Sequence, residues 1–311
     1  MALSGCDAVI VQHEYGIYPG LDGSRIVDLA KKISVPIIVV AHTVLSEPSV
    51  GQRTVLRELC DVADTVVVMT EVARRRLVHH YGVSCNQIVV IPHGAAVHIE
   101  QGRTIGPATT SVAVPLLLTW GLLGPGKGIE WAIDAVARLD LVGRAPQYLV
   151  AGATHPNVRA RSGESYRTSL RERATELGIA DRVQFDDTYR SVADLTALIT
   201  TADLVVLPYD SVDQVTSGVL VDAVAAGRPV VSTAFPHAIE LLSTGAGIVV
   251  PQRDPKAMAE AIETVLNDPD RAASMAAEAR RLAPSLSWPS VADRYLEVAH
   301  QLCRIHRSVA S

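Results

Sequence analysis

Short runs of apolar, mostly β-branched residues alternate along the chain with longer amphipathic stretches. The runs are continuously apolar rather than alternating with polar residues, which is typical of parallel strands covered by helices on both faces. Strands and helices taking turns predict βαβ units and an α/β fold. The predicted strands are 7–12, 36–41, 65–69, 87–91, 112–120, 147–151, 182–185, 204–208, 229–233 and 247–250. The predicted helices are 24–33, 52–62, 71–81, 128–138, 166–177, 192–200, 218–226, 256–266 and 291–302.

A polar stretch rich in Gly, Thr and Pro, residues 98–111, interrupts this pattern, and the alternation restarts after it. We interpret the stretch as a linker between two domains. The sequence therefore predicts two Rossmann-like, doubly wound parallel-sheet domains, residues 1–97 and 112–285. The final segment, 286–311, has an apolar stripe at helical spacing and is expected to pack back toward the N-terminal domain.

Composition narrows the class of protein. With 311 residues, 48% of them hydrophobic, the chain is long enough for two domains. The formal net charge of −5 argues against a protein that coats nucleic acid. The four cysteines form no CxxC pair, which favours a reducing compartment, and the first eleven residues lack the basic start of a secretory signal. We expect a cytoplasmic protein without a nucleic-acid partner.

Unusual polar residues cluster directly after the predicted strands. In open parallel sheets, ligands bind beyond the carboxyl ends of the strands, where loops and helix N-termini meet. This arrangement predicts a ligand cleft between the two domains. The clusters are residues 13–16, 42–43, 121–128, 154–156, 210–218 and 233–237.

The glycine-rich loop 121–128 is the most informative cluster. Gly121, Gly124 and Gly126 let a backbone approach an anion, and Lys127 adds a cation at the start of a predicted helix. A plain strand-to-helix turn with a solvated lysine is the simpler alternative. Residues 121–127 also fit the G-x-x-x-x-G-K pattern of a P-loop, but Gly128 stands where a Ser or Thr should hold magnesium.

A second cluster begins a predicted helix. Thr216, Ser217 and Gly218 offer two hydroxyls and free helix amides, and Asp222, one turn further on, can accept hydrogen bonds from a ribose diol. The alternative is an ordinary helix cap in which Ser217 satisfies its own helix.

Three histidines follow predicted strands. His42 can donate a hydrogen bond to a sugar oxygen or move a proton, although a lone histidine there is often structural. His13 and Glu14 do not continue to H-E-x-x-H, which excludes a zinc protease site, and they suit substrate hydroxyls. His155 is a weaker candidate. The basic runs 74–76 and 159–173 are interpreted as solvated faces, with an anionic membrane surface as the alternative.

Taken together, the motifs resemble the family-4 (group 1) retaining glycosyltransferases of the GT-B fold and are similar to one bacterial subgroup of them. The resemblance covers nearly the whole chain. The pieces that carry it are residues 12–16, 121–130, 152–156, 163–167, 216–218, 222–231 and 287–295.

The resemblance implies transfer of a sugar, with retention, from a nucleotide-diphosphate sugar as co-substrate, without a cofactor or a bound metal. His42 and Glu14 are the implied catalytic residues, and His13 with Glu14 would line the acceptor side. Lys127 would face the diphosphate and Asp222 the ribose. The implied donor-binding set is Gly121, Gly124, Gly126, Lys127, His155, Gln214, Thr216, Ser217, Gly218 and Asp222.

The chain departs from the family pattern in three respects. The E-x7-E motif is Gln214-x7-Asp222 here, and the arginine that often follows the first loop glycine is Leu122. The family's acceptor domain also carries βα units before the strand at 7–12, so we expect an incomplete N-terminal domain with an unpaired sheet edge. A partner chain or an oligomer would cover such an edge.

Two other functions remain open at this point. One is a non-catalytic sugar-nucleotide-binding or assembly subunit, which Gln214 and the incomplete domain would suit. The other is a nucleotide-sugar epimerase, because the same two-domain architecture supports that reaction. For a transferase, the acceptor would be a sugar, a lipid or another acceptor molecule, and the enzyme would work in the cytoplasm or in peripheral contact with the inner membrane face.

Overall fold

The computed structural model describes residues 5–96, 114–139, 141 and 144–310. The predicted linker 98–111 and the first residues of the predicted strand 112–120 lie outside them. The strands are β1 Val9–His13, β2 Ile37–Ala41, β3 Thr65–Val68, β4 Ile88–Val90, β5 Leu116–Trp120, β6 Gln147–Ala151, β7 Val183–Asp186, β8 Leu204–Leu207, β9 Val230–Thr233 and β10 Gly247–Val250. The helices are α1 Arg25–Ala30, α2 Val50–Val62, α3 Glu71–Tyr81, α4 Ile129–Arg138, α5 Pro156–Ser162, α6 Ser165–Glu176, α7 Val192–Thr201, α8 Gly218–Ala225, α9 Pro236–Leu242, α10 Pro255–Asn267, α11 Pro269–Leu286 and α12 Trp288–Ala310.

The chain forms two compact units, each built on one parallel sheet. The N-terminal unit comprises Met1–Gly94, Asp213–Ser217 and Trp288–Ser311, and the C-terminal unit comprises Ala95–Val212 and Gly218–Ser287. The predicted C-terminal domain, 112–285, included residues 213–217, whereas the structure groups them with the N-terminal unit. The α/β class with two parallel-sheet domains is confirmed.

The N-terminal sheet has the order β1-β2-β3-β4. Because side chains alternate across a strand, Ile37, Val39 and Ala41 face α1–α3, whereas Ile38 and Val40 face the apolar stripe of α12. Both faces of β2 are therefore buried, which explains its unbroken apolar sequence. β1 lies at an edge of the described sheet, and its Ile10 is 46% exposed.

The C-terminal sheet has the order β10-β9-β8-β5-β6-β7. The chain adds β6 and β7 on one side of β5 and then β8, β9 and β10 on the other side, so the strand order reverses at β5. Helices α4, α6 and α10 cover one face, and α7, α8, α9 and α11 contribute to the apolar cluster on the other. Sequence analysis missed three helices. Two of them, α5 and α9, have only seven residues and begin with proline, while α11 follows α10 after a single residue, Asp268, which caps it.

At the carboxyl ends of β5 and β6 two backbones lie in direct contact. A Cβ atom on Gly152 would lie 2.0 Å from the carbonyl oxygen of Gly121, and Gly152 has a φ of +140°. Neither the space nor the backbone conformation accepts a side chain. The contact fixes the glycine-rich loop after β5 against the loop after β6.

We therefore expect Gly152→Ala to lower the stability of the protein by about 3 kcal/mol, the sum of steric overlap and positive-φ strain. Thermal unfolding measures the effect as a fall in Tm of roughly 6–12 °C. Gly178→Ala is the matched control, because Gly178 has a φ of +68° but open space around it. A control variant that loses as much stability as Gly152→Ala would contradict the importance of the backbone contact.

Candidate functional site

The glycine-rich loop connects β5 to α4 in the C-terminal unit. Gly126 and Gly128 have φ values of +88° and +64°, and Gly128 packs so closely on the carbonyl oxygen of Pro208 that a Cβ would lie 1.8 Å from it. Gly128 is also the N-cap of α4, and no side chain caps this helix. A helix start without a side-chain cap leaves its first amides to an anion or to water.

Lys127 is half-buried at the end of this loop. Its ammonium group lies 4.5 Å from the centre of the Tyr209 ring, a cation–π distance. Burial lowers the pKa of the Lys127 ammonium group from its usual value. The lysine is thus oriented by an aromatic neighbour rather than free in solvent, which differs from the simple-turn alternative.

The loop lies where the strand order of the C-terminal sheet reverses. β5 pairs with β6 on one side and with β8 on the other, and Tyr209 and Asp210 follow β8. In open parallel sheets this reversal point is where a crevice forms for nucleotides. The amide of Asp210 donates a hydrogen bond to the carbonyl of Gly126 at 3.0 Å, which joins the two loops.

The side chain of Asp210 contacts two residues beside the glycine-rich loop, Trp131 and Arg253. Its Oδ2 accepts a hydrogen bond from the indole nitrogen of Trp131 at 3.1 Å and lies 3.3 Å from Nε of Arg253. Arg253 has a φ of +56°, an unusual conformation for a residue with a side chain. Sequence analysis included Asp210 only as the start of a polar cluster and did not single out Arg253.

A buried arginine supports the loop after β6. Arg167, only 3% exposed, donates a hydrogen bond from Nη2 to the carbonyl of Gly152 at 2.6 Å. Its Nε lies 3.4 Å from the carboxylate of Glu164, which also accepts a hydrogen bond from Thr154 at 2.5 Å. Arg167 lies in the run 159–173 that was interpreted as a solvated face, so that interpretation is wrong for this residue.

His155 lies beside the glycine-rich loop and caps α5. Its amide donates to the carbonyl of Leu123 at 2.8 Å, which places it next to the loop, and its Nδ1 accepts a hydrogen bond from the amide of Asn157 at 3.1 Å. A cap is a structural role, and donor binding by His155 stays a prediction.

The predicted donor residues of the second cluster are divided between the units. Gln214, Thr216 and Ser217 belong to the N-terminal unit, whereas Gly218 and Asp222 belong to α8 of the C-terminal unit. The Oδ1 atom of Asp222 accepts a hydrogen bond from the amide of Ala96 at 2.8 Å. One of its two carboxylate oxygens therefore supports the fold, and its role toward a ribose stays a prediction.

In the N-terminal unit, the carboxyl ends of β1 and β2 bring together His13, Glu14 and His42. The amide of His42 donates to the carbonyl of His13 at 3.1 Å. The carboxylate of Glu14 accepts hydrogen bonds from Thr43 Oγ1 at 2.6 Å and from the amide of Tyr15 at 3.1 Å. The predicted acceptor-side residues are thus neighbours within one unit.

His42 forms a hydrogen bond with Gln12, with 2.6 Å between Nε2 and Oε1. Because an amide oxygen only accepts, the bond assigns the proton to Nε2 and leaves Nδ1 as an acceptor in the neutral ring. Burial, and then the charge of His93, lower the pKa of His42, while Glu14 acts in the opposite direction. His93 was missed by sequence analysis, although it lies just beyond the carboxyl end of β4, as His42 lies beyond β2, and His13 is the last residue of β1.

His13 is completely buried, and its ring meets the Tyr15 ring edge-on at 4.9 Å. Neither ring nitrogen has a hydrogen-bond partner among the residues that the structure describes. Burial, followed by the charge of His42, lowers the pKa of His13 to about 4. The ring is therefore neutral at pH 7, with one donor and one acceptor unused.

Within residues 5–96, 114–139, 141 and 144–310, no three His, Cys, Asp or Glu side chains come together as a set of metal ligands. None of the helices in these ranges combines the length and the hydropathy that a membrane span requires.

Two family models match successive parts of the chain. Residues 3–98 match the model described as Glycosyltransferase Family 4, and residues 114–268 match the model described as Glycosyl transferases group 1. A D-inositol 3-phosphate glycosyltransferase of Corynebacterium efficiens is 29% identical over 283 residues, which cover 83% of this chain. That alignment spans only 64% of the relative's own length.

Solved structures share the architecture. Sucrose-phosphate synthase from Thermosynechococcus elongatus superposes with a TM-score of 0.75 at 21% identity and covers 97% of this chain, with 75% of that chain covered in return. HepE from Anabaena in complex with UDP-glucose superposes with a TM-score of 0.73 at 19% identity, over 95% of this chain and 79% of its own. These similarities extend over both units, and with the two family matches they lead to one conclusion: the chain belongs to the group 1, family 4 glycosyltransferases of the GT-B fold.

Proposed function

We propose that the protein transfers a sugar, with retention, from a nucleoside-diphosphate sugar to a hydroxyl group of its acceptor. The observation that carries the proposal is the position of the glycine-rich loop and its Lys127: they follow β5, where the strand order of the C-terminal sheet reverses. In addition, the structures of HepE contain UDP or UDP-glucose. The acceptor is a sugar, a lipid or another alcohol.

In the proposed reaction, the leaving nucleoside diphosphate gains negative charge as the bond to the sugar breaks. Lys127 and the amides at the start of α4 stabilise that charge, because they are fixed before the substrate arrives and need no reorganisation. This electrostatic contribution does not call for a metal ion. Ser217 and the start of α8 are proposed to meet the phosphate or the sugar, and Asp222 is proposed to meet the ribose.

The acceptor side is proposed to lie at the carboxyl ends of β1 and β2. There, Glu14, His13 and His42 offer hydrogen-bonding groups to sugar and acceptor hydroxyls. The unused nitrogens of His13 are costly to bury without a partner, and because the ring is completely buried, a substrate hydroxyl would reach them only after a local rearrangement. His42 keeps its ring oriented through Gln12, with Nδ1 as the acceptor nitrogen of the neutral ring.

The first test concerns the donor site. Lys127→Met keeps an unbranched side chain and removes the charge that lies over Tyr209, so we expect the Kd for UDP to rise about 10- to 100-fold. Isothermal titration calorimetry measures the change. Lys256→Met is the control, because Lys256 is 80% exposed in the same unit and pairs only with the nearby Glu260 among the described residues. Equal UDP affinity in the two variants would assign the loop to a structural turn.

The second test separates binding from chemistry. We expect His42→Ala to leave the Kd for UDP within about twofold and to lower sugar transfer by at least about 100-fold, because His42 acts on the acceptor side. His79→Ala, an exposed histidine on α3, is the control. UDP release from UDP-glucose with added candidate acceptors is the readout, and circular dichroism checks folding. Donor isomerisation without UDP release would identify an epimerase, and binding without turnover would identify a non-catalytic subunit.

The third test uses the pKa of His13. An unfolded histidine takes up a proton near pH 6.5, whereas the folded ring resists it until about pH 4. Stability should therefore fall as the pH is lowered from 6.5 to 4, by about 2–3 kcal/mol from this residue. Urea unfolding at pH 7 and pH 4.5 measures the loss. Between pH 7 and pH 4.5, we expect the stability loss of His13→Phe to be smaller than that of the wild type by about 2–3 kcal/mol. His79→Phe should lose as much stability as the wild type.

A further inference from the structure

Residues 213–217 form an irregular segment that leaves the C-terminal unit after Val212 and returns to it at Gly218. Their position depends on side-chain contacts, because no strand or helix holds them. The segment carries Gln214, Thr216 and Ser217, three members of the proposed donor-binding set. Whatever holds the segment in the N-terminal unit therefore sets the place of these three residues.

Asp213 is the first anchor. Its Oδ1 accepts hydrogen bonds from the amide of Ser46 at 3.0 Å, from the Ser46 hydroxyl at 2.5 Å, and from Nη1 of Arg76 at 3.1 Å. The same Nη1 lies 2.8 Å from the carbonyl of Val44 and 3.2 Å from the carbonyl of Asp213. The Arg76 side chain is only 12% exposed, so solvent screens this ion pair less than a surface pair.

Val215 is the second anchor. Its side chain is 2% exposed within the apolar cluster that α1–α3 form with the sheet. The hydroxyl of Thr70 donates to the carbonyl of Val215 at 3.1 Å and accepts the amide of Ala73 at the start of α3. Helix α3 thus holds the segment at two points, through its N-cap Thr70 and through Arg76.

The anchored residues alternate with the proposed donor residues. Asp213 and Val215 are fixed to α3 and its surroundings, and Gln214 and Thr216 follow them. The hydroxyl oxygen of Thr216 is buried, and no described residue forms a hydrogen bond with it. A buried hydroxyl without a partner is costly unless a ligand completes it.

We propose that Arg76 is a positioning residue of the donor site: through Asp213 it holds segment 213–217 in the N-terminal unit and so presents Gln214, Thr216 and Ser217 to the nucleoside-diphosphate sugar. The proposal rests on the proposed function. Arg76 acts through the segment and does not itself need to touch the donor. The interpretation of residues 74–76 as a solvated face is accordingly wrong for Arg76 and holds for the exposed Arg75.

The experiment compares Arg76→Ala with Arg75→Ala, which removes the same charge from an exposed position of the same helix. We expect Arg76→Ala to raise the Kd for UDP about tenfold, the range of one charge-assisted hydrogen bond, and to speed amide hydrogen exchange in 213–217 by a similar factor. Arg75→Ala should match the wild type in both measurements. Measurements are made well below each variant's unfolding temperature, where a merely structural loss of stability leaves the Kd unchanged.

Two milder changes keep the test decisive if Arg76→Ala folds poorly. Ser46→Ala removes one hydroxyl donor to Asp213. Arg76→Lys keeps the positive charge but offers fewer hydrogen-bond donors than the planar guanidinium group. Both variants should give intermediate increases in the Kd for UDP and in the rate of amide hydrogen exchange. In Arg76→Ala/Asp213→Ala, the increase in Kd should be smaller than the product of the two single increases, because both variants remove the shared Arg76–Asp213 pair.

The outcomes separate the two proposals. A wild-type protein that binds UDP while Arg76→Ala behaves like Arg75→Ala in both Kd and exchange would overturn the role of Arg76 and leave the proposed function intact. Faster exchange in Arg76→Ala with an unchanged Kd would also overturn it, because the segment would then be held without serving the donor. A wild-type protein that binds none of UDP, GDP, ADP, CDP and dTDP would overturn the proposed function, and the positioning role with it.

Discussion

The parallel alignment of the strands in each sheet is the constraint on which the rest of the structure depends. Parallel strands place all their carboxyl ends at one edge, so the residues that follow them are gathered whatever their distance in the sequence. His13 and His42 meet in this way in the N-terminal unit, and the glycine-rich loop meets Asp210 in the C-terminal unit. The close backbone contact between Gly121 and Gly152 is a consequence of the same alignment, because β5 and β6 end side by side.

This constraint explains how much the sequence could predict. Continuous apolar runs such as Ile37–Ala41 are local signals, since burial on both faces removes the need for polar positions, and the predicted strands and longer helices agree with the described structure within a few residues. The glycine-rich loop was recognisable for the same reason, because its chemistry lies in eight consecutive residues. Short helices such as α5 and α9 carry too few periods of apolar residues to be recognised.

Other parts of the candidate site depend on contacts that sequence spacing does not reveal. Arg75 and Arg76 are adjacent and chemically identical, yet one is exposed and the other reaches Asp213, which lies 137 residues further along the chain. Arg167 likewise looks like one of several arginines on a helix until its contact with Gly152 is known. His93 is different, because it could have been predicted from the sequence. His13 and His42 were found by looking for polar residues directly after predicted strands, and the same search after β4 would have found His93.

The two units contribute different electrostatics, and the difference suits the proposed chemistry. In the C-terminal unit, Lys127 and the start of α4 favour negative charge, which a leaving diphosphate develops. In the N-terminal unit, burial lowers the pKa values of His13 and His42, which favours neutral rings that exchange hydrogen bonds with hydroxyls. A protonated His13 would lose its acceptor nitrogen and leave a charge in a completely buried site. Segment 213–217 belongs to the N-terminal unit, where Arg76 holds it through Asp213, and it carries residues proposed to bind the charged donor.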